Sequence, residues 1–195
     1  MTNTYDVILH ADPVLKQVAN PIGDIDADIQ AQAEKMMNTM YETRGIGLAA
    51  NQVNILNRMF VMDVDPTCWK YKNEGDQILQ IESVHREGED LTPNPLVMIN
   101  PEIVKKSEQK SVYLEGCLSI PQQYAEVRRP AHVTVEYIDV SGNKQTWEAS
   151  GLESHCVQHE LDHLDGVLFI DYLSRLKRST LIRKLEKFKK AEGLL

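Results

Sequence analysis

The run His159-Glu160-Leu161-Asp162-His163 constrains this chain more than any other feature. Residues four apart share one face of a helix, so both imidazoles can reach a single ion if the segment is helical. Glu160, beside the first histidine, can lean over an ion-bound water and take its proton. Val157, Leu161 and Leu164 flank these polar residues, and burying them unpaired in such company would be costly. The segment predicts a helix from about Leu152 to Leu164, stopped by Asp165-Gly166, with both histidines on its ligand face.

A hydrolytic ion of this kind takes three protein ligands and keeps one position for water. In one large group of zinc proteases the run continues H-x-x-G-x-x-H, but here Phe169 stands where the third histidine would be. The downstream Glu186 lies in a Lys/Arg-rich stretch that reads as an exposed helix. The third donor therefore comes from elsewhere. Upstream, Cys117 sits in Glu115-Gly116-Cys117-Leu118-Ser119, after a β-rich stretch. A free cysteine is more often a small buried hydrophobe than a ligand. Beside a two-histidine site without its third donor, the thiolate reading overtakes that default. Thiolate plus two imidazoles suits Fe2+, Zn2+, Ni2+ or Co2+.

The remaining pattern reads as alternating helices and strands. Asp12-Pro13 opens a short helix to about Val18, and Asp26 caps a longer one to about Thr43, ended by Gly45 and Gly47. Strands are predicted at Arg58–Val64, Leu96–Asn100 and Ala131–Val140, where Val133, Val135 and Tyr137 share one face. Ser141-Gly142-Asn143 turns the last of these into Lys144–Ala149. A final helix, about Ser174 to Ala191, places Leu181, Leu185 and Phe188 on one stripe. Seven acidic residues lie between Asp65 and Asp90, where the pattern fails, and the stretch at about 65–95 is expected to be a surface excursion. The predicted fold class is α+β, one domain over residues 1–195. Antiparallel strands surround one central metal-binding helix, and the C-terminal helix packs outside.

Composition excludes several function classes. A net charge of −8 argues against wholesale nucleic-acid binding. No run of about 18 apolar residues is present, so no membrane span is expected. The first ten residues lack a basic patch followed by an apolar stretch, so no secretory signal is expected. Three cysteines (Cys68, Cys117 and Cys156) are too few and scattered for a disulfide framework, which points to a reducing, cytoplasmic compartment.

Three segments, in order, resemble the signature motifs of the peptide deformylase family. They are Gly45-Ile46-Gly47-Leu48-Ala49-Ala50-Asn51-Gln52, Glu115-Gly116-Cys117-Leu118-Ser119 and Gln158-His159-Glu160-Leu161-Asp162-His163. The resemblance covers nearly the whole chain except about Asp65 to Pro95. It implies Cys117, His159 and His163 as metal ligands, Fe2+ as the physiological ion, and Glu160 as the acid/base. It implies that Gln52 and the Leu118 backbone N–H bind the developing oxyanion. Gly45, Ile46, Gly116 and Glu115 would line or support the peptide groove, with Gly45 and Gly47 permitting close backbone approach. Ile46, Leu152, Cys156 and His159 would border the pocket for the first side chain, although Cys156 reads equally well as helix packing.

The implied activity is hydrolytic removal of the formyl group from the formyl-methionine of nascent polypeptides. The metal lowers the pKa of its water to about 7, making hydroxide available at neutral pH. The competing reading from H-E-x-x-H alone is a zinc endopeptidase. The terminal helix carries Arg175, Lys177, Arg178, Arg183, Lys184, Lys187, Lys189 and Lys190. It is similar to that of the bacterial type I group, where it contacts the ribosome; a solvated amphipathic helix is the plainer alternative. The protein is expected to be a monomer. His155 and the acidic excursion depart from the family pattern, and His155 is expected to stand behind the ligands or be exposed rather than to be a ligand itself.

Overall fold

Two faces of one sheet need cover, and the sequence supplies a helix for each. The computed structural model describes residues 3–64 and 94–194, and between them the backbone of two strands. A 3-10 turn at Pro13–Lys16 starts where Asp12 caps the Val14 N–H at 2.9 Å. Helix α1 (Ala27–Glu42) starts where the Asp26 carboxylate accepts from the N–H groups of Asp28 and Ile29. Strands β1 (Gly47–Ala49) and β2 (Met59–Met62) follow, then β3 (Trp69–Glu74) and β4 (Gln77–Ser83). The chain continues through β5 (Leu96–Lys106), β6 (Lys110–Cys117), β7 (Ile120–Pro130), β8 (His132–Ile138) and β9 (Lys144–Ser150). Helix α2 (Gly151–Leu164) and helix α3 (Arg175–Ala191) complete it.

The main sheet is antiparallel throughout, in the order β1-β2-β5-β8-β9. Alternation along β2 divides its side chains. Met59 and Val61 join Met36 and Met40 of α1, while Phe60 and Met62 join Val157 and Leu161 of α2. Both faces are covered, which is why Met59–Met62 is apolar at every position. Val133, Val135 and Tyr137 of β8 face α2 as the alternation predicts.

Three departures from the sequence reading have physical causes. The strand predicted at Leu96–Asn100 runs on to Lys106, because its second half pairs with β8 at a sheet margin that tolerates Glu102 and Lys105. The stretch before Cys117 reads as β-rich, but β7 and its pairing with β6 into a hairpin were not predicted. The hairpin's inward positions include Ser111, Glu115, Gln123 and Arg129, so apolar alternation never develops. Within the acidic stretch, β3 and β4 form an antiparallel pair from Trp69↔Ser83 to Glu74↔Gln77. The rest of residues 65–93, Cys68 included, lies outside the described residues.

Helix α2 is buried continuously from Ser154 to Leu161. Its polar side chains are anchored. Ser154 and Gln158 both donate to the Pro130 carbonyl at 3.0 Å, which fixes the helix against the end of β7. The predicted glycine stop holds: Gly166 has φ +72°, and a Cβ there would lie 2.8 Å from the Lys16 backbone carbon. Helix α3 packs Leu181 and Leu185 onto Val14, Leu15, Ile120, Val127 and Phe169. The stripe continues at Lys189 rather than at Phe188, following the four-residue repeat from Leu181 and Leu185. Lys189 is buried and its Nζ donates to the His10 carbonyl at 2.8 Å. Among the described residues no helix is long and apolar enough to cross a membrane.

Candidate metal centre

Strand β6 presents Cys117 to α2 just before the turn into β7. The Cys117 Sγ lies 3.2 Å from His163 Nε2. Ligand-type atoms of Cys117, His159 and His163 all lie within 4.8 Å of one another. Bonds of about 2.3 and 2.1 Å at a tetrahedral angle would separate sulfur and nitrogen by roughly 3.6 Å, so the grouping is already near the size one ion needs. The two imidazoles are edge to face, 4.9 Å between centroids, and Phe169 stacks 6.0 Å from His159.

Each histidine is placed by what its other nitrogen does. His159 Nδ1 donates to Glu115 Oε2 at 2.9 Å, so in the neutral ring Nε2 is the nitrogen left with a lone pair. Burial, above all, holds the His163 imidazole well below its ordinary range, in the neutral form that ligates. His163 Nδ1 and Glu160 Oε2 are buried without a hydrogen-bond partner among the described residues. Soft and borderline donors drawn together beside an unpartnered buried carboxylate oxygen fit a first-row divalent ion with water in its open position.

Glu160 lies against the glycine segment. Burial, with the charge of Glu115 acting in the same direction against His159 and Arg129, pushes its carboxyl up to about 7. Gln52, in the 3-10 turn Ala50–Val53, has a fixed amide. Its Oε1 accepts from the Ala49 N–H at 2.9 Å, and its Nε2 reaches Ser119 Oγ at 3.2 Å and Cys117 Sγ at 3.4 Å.

The groove-side residues are spread around this group. The Leu118 side chain lies over Gly45, where a Cβ would come within 2.8 Å of its Cδ1. Gly116 faces the Tyr124 ring across the β6–β7 hairpin, and Tyr124 is exposed. Ile46 and Leu152 are half-buried against the core cluster that contains Cys156, whose Sγ donates to the Ile46 carbonyl at 3.5 Å. Glu115 is 7% exposed, with both oxygens turned toward α2 and β7 rather than outward.

Sequence reasoning missed Arg129. Its Nε donates to Glu115 Oε1 at 2.6 Å and its Nη2 to Glu115 Oε2 at 3.0 Å, a two-pronged pair between buried residues. Its Nη1 reaches Asp162 at 2.7 Å, and its guanidinium lies 4.7 Å from the Tyr172 ring centroid. Burial alone would raise the Glu115 carboxyl. The hydrogen bonds from His155, His159 and Arg129 outweigh it and hold Glu115 ionised far below the usual carboxylate range. The available signal was indirect: a buried carboxylate beside the histidines requires a fixed cation.

Comparison with known proteins identifies the family. The family model for polypeptide deformylase matches residues 4–179. The chain is 49% identical over 187 residues to a peptide deformylase of Rhizobium meliloti, covering 96% of this chain and 95% of that one. It is 47% identical over 186 residues to a peptide deformylase of Agrobacterium fabrum, covering 95% and 96%. The crystal structure of a peptide deformylase from Legionella pneumophila superposes with a TM-score of 0.81 at 34% identity, covering 97% of this chain and 98% of that one. That of a peptide deformylase from Ehrlichia chaffeensis in complex with actinonin gives 0.79 at 33%, with coverage of 97% and 98%. By sequence over nearly its whole length and by fold, this chain belongs to the polypeptide deformylase family of metal-dependent amide hydrolases.

Proposed function

We propose that this chain removes the formyl group from the N-terminal formyl-methionine of nascent polypeptides, using an ion held by Cys117, His159 and His163. The observation that carries the reading is the convergence of those three donors within 4.8 Å, with Glu160 next to His159 on α2. Fe2+ is the ion we propose, and Zn2+, Ni2+ and Co2+ suit the same donors. When bound, the ion supplies a Lewis acid that makes water a nucleophile at neutral pH and polarises the formyl oxygen.

The chain's own residues do the rest. Glu160, with an unpartnered buried oxygen, takes the proton from the attacking water and returns it to the departing amine, so that formate and a free N-terminus result. The held Gln52 amide and the Leu118 N–H donate to the charge growing on the formyl oxygen. Gly45, Ile46 and Gly47 run beside the peptide, with Gly116 across from them. Glu115 supports the groove from behind, through His159. Ile46, Leu152 and Cys156 border the pocket for the first side chain.

A zinc endopeptidase is not favoured, because no downstream histidine or glutamate joins His159 and His163 among the described residues. The deciding assay is formate release from a formyl-Met peptide under anaerobic conditions, run beside casein hydrolysis. Glu160→Ala should retain the ion and lose at least about 10² in turnover. Casein cleavage without formate release would reject the reading.

We further propose that α3 docks the enzyme at the ribosome. Arg175, Lys177, Arg183, Lys184, Lys187 and Lys190 are exposed on a chain of net charge −8. Lys189 is committed to His10, and Arg178 pairs with Asp171 at 2.9 Å. The chain acts as a cytoplasmic monomer in this reading.

A further inference from the structure

Strand β6 and helix α2 meet as two rows of side chains. Ser111, Tyr113, Glu115 and Cys117 are two apart on β6, and all four touch histidines of α2. His155, His159 and His163 are four apart on α2. Two residues of strand advance about 6.6 Å and four residues of helix about 6 Å, so the rows stay in step across the interface. The site uses His159 and His163. His155 occupies the third position of the same row and is 2% exposed.

Its surroundings fix both ring nitrogens. The Glu115 carboxylate can only accept, so His155 Nδ1 donates to Glu115 Oε1 at 3.1 Å. In the neutral ring Nε2 then accepts from the Ser111 hydroxyl at 2.9 Å. The Tyr113 ring covers one face, with centroids 4.4 Å apart. A carboxylate has about four acceptor positions. Arg129 fills one on each oxygen of Glu115, and His159 fills a second on Oε2. His155 fills the second on Oε1.

We infer that His155 is a positioning residue: it balances the Glu115 carboxylate between two histidines, so that Oε2 stays where it aims His159. Without it, Oε1 keeps one donor while Oε2 keeps two. The buried oxygen could regain a partner only by turning within the Arg129 fork, and that turn carries Oε2 away from His159 Nδ1. Ser111 in turn satisfies His155 Nε2, so the chain of contacts reaches from the half-buried start of β6 to the ligand. This inference rests on the proposal that Cys117, His159 and His163 hold the ion.

The test uses the full chain loaded with Co2+, as wild type, His155→Leu and His155→Asn. Asparagine places an N–H donor near the position of His155 Nδ1, whereas leucine fills the space with no donor. Release of Co2+ to a chelator, the visible absorption of the bound Co2+ and the melting temperature of the metal-free chain are measured. Release from His155→Leu should be about 10-fold faster or more, the scale of lost outer-shell partners, with altered Co2+ absorption. His155→Asn should bring both back toward wild type. A packing role alone would lower the metal-free melting temperature and leave the absorption as it was. Wild-type release and absorption in His155→Leu would overturn the inference while leaving the metal site standing. Failure of the wild type itself to take up Co2+ would bring down both. Should His155→Leu not fold, His155→Phe decides, since it keeps a ring beside Tyr113 without a donor: faster release supports the inference, and an unchanged rate overturns it.

Discussion

The Glu160 side chain fills the space that any side chain at position 47 would need. A Cβ on Gly47 would lie 2.8 Å from Glu160 Cδ and 2.9 Å from its Cγ. The requirement at Gly47 is therefore close approach, and its backbone adopts no left-handed angle. The glycine and the proposed acid/base come from separate motifs, more than 100 residues apart in sequence.

Gly47→Ala should push the Glu160 carboxylate aside while leaving Cys117, His159 and His163 in place. Misplacing a reacting group by about 1 Å can cost 10²-fold, so kcat for formate release should fall by about that factor. Ion content should be unchanged. Wild-type kcat in a folded variant would show that Glu160 has room to spare.

Cys117→Ser replaces a soft thiolate with a harder, poorer donor. Dialysis against a chelator, followed by elemental analysis, should show faster ion loss than in the wild type. Retention equal to wild type would remove Cys117 from the ligand set.

Much of this candidate site was legible because its proposed ligands carry their spacing with them. Two histidines and a glutamate on one helical face need no tertiary context to be noticed, and Asp26 and Gly166 mark helix ends by local backbone chemistry. The pairing of β6 with β7 was illegible for the reason that makes it useful. Where Ser111, Glu115 and Arg129 point inward, polar side chains take the places that apolar ones would mark. Arg129 has meaning only beside Glu115, which is 14 residues away in sequence and directly adjacent in space. The same holds for His155, whose two partners both lie on β6.

Acid should loosen the contact between α3 and the body at Asp171. This carboxylate accepts from the Leu168 N–H at 2.9 Å and pairs with Lys16 and Arg178. Burial would raise its pKa, but the Lys16 hydrogen bond, the Leu168 N–H and the two cations hold it below the ordinary aspartate value. A carboxylate depressed in the folded state stabilises that state above its unfolded pKa, about 3.9, and the contribution is lost as pH falls through the folded value. Asp171→Asn should therefore melt below wild type at pH 7, with the gap closing as pH falls below about 4. A gap independent of pH would assign Asp171 to shape rather than charge.

Reversing charge at Lys184, Lys187 and Lys190, all exposed, tests the ribosome proposal without disturbing the Leu181 and Leu185 contacts. Affinity for ribosomes at low salt should fall, and the remainder should depend less steeply on salt. Hydrolysis of a short formyl-Met peptide should stay near wild type. Unchanged ribosome binding would return α3 to the role of a solvated cover.

The contact between Lys189 and His10 also sets an order of events during synthesis. The two residues are separated by 179 positions, and at about 5–20 residues per second that interval lasts on the order of 10–40 s. Over this time Val14 and Leu15 have been made, but their partners Leu181 and Leu185 have not. Ala19 must likewise wait for the Leu164 carbonyl, which its N–H reaches at 2.8 Å. The first part of the chain to be translated is thus among the last to be seated. Phe169, which stacks on His159, shares that late-closing cluster, so the ring behind His159 is fixed only once the final helix has been added.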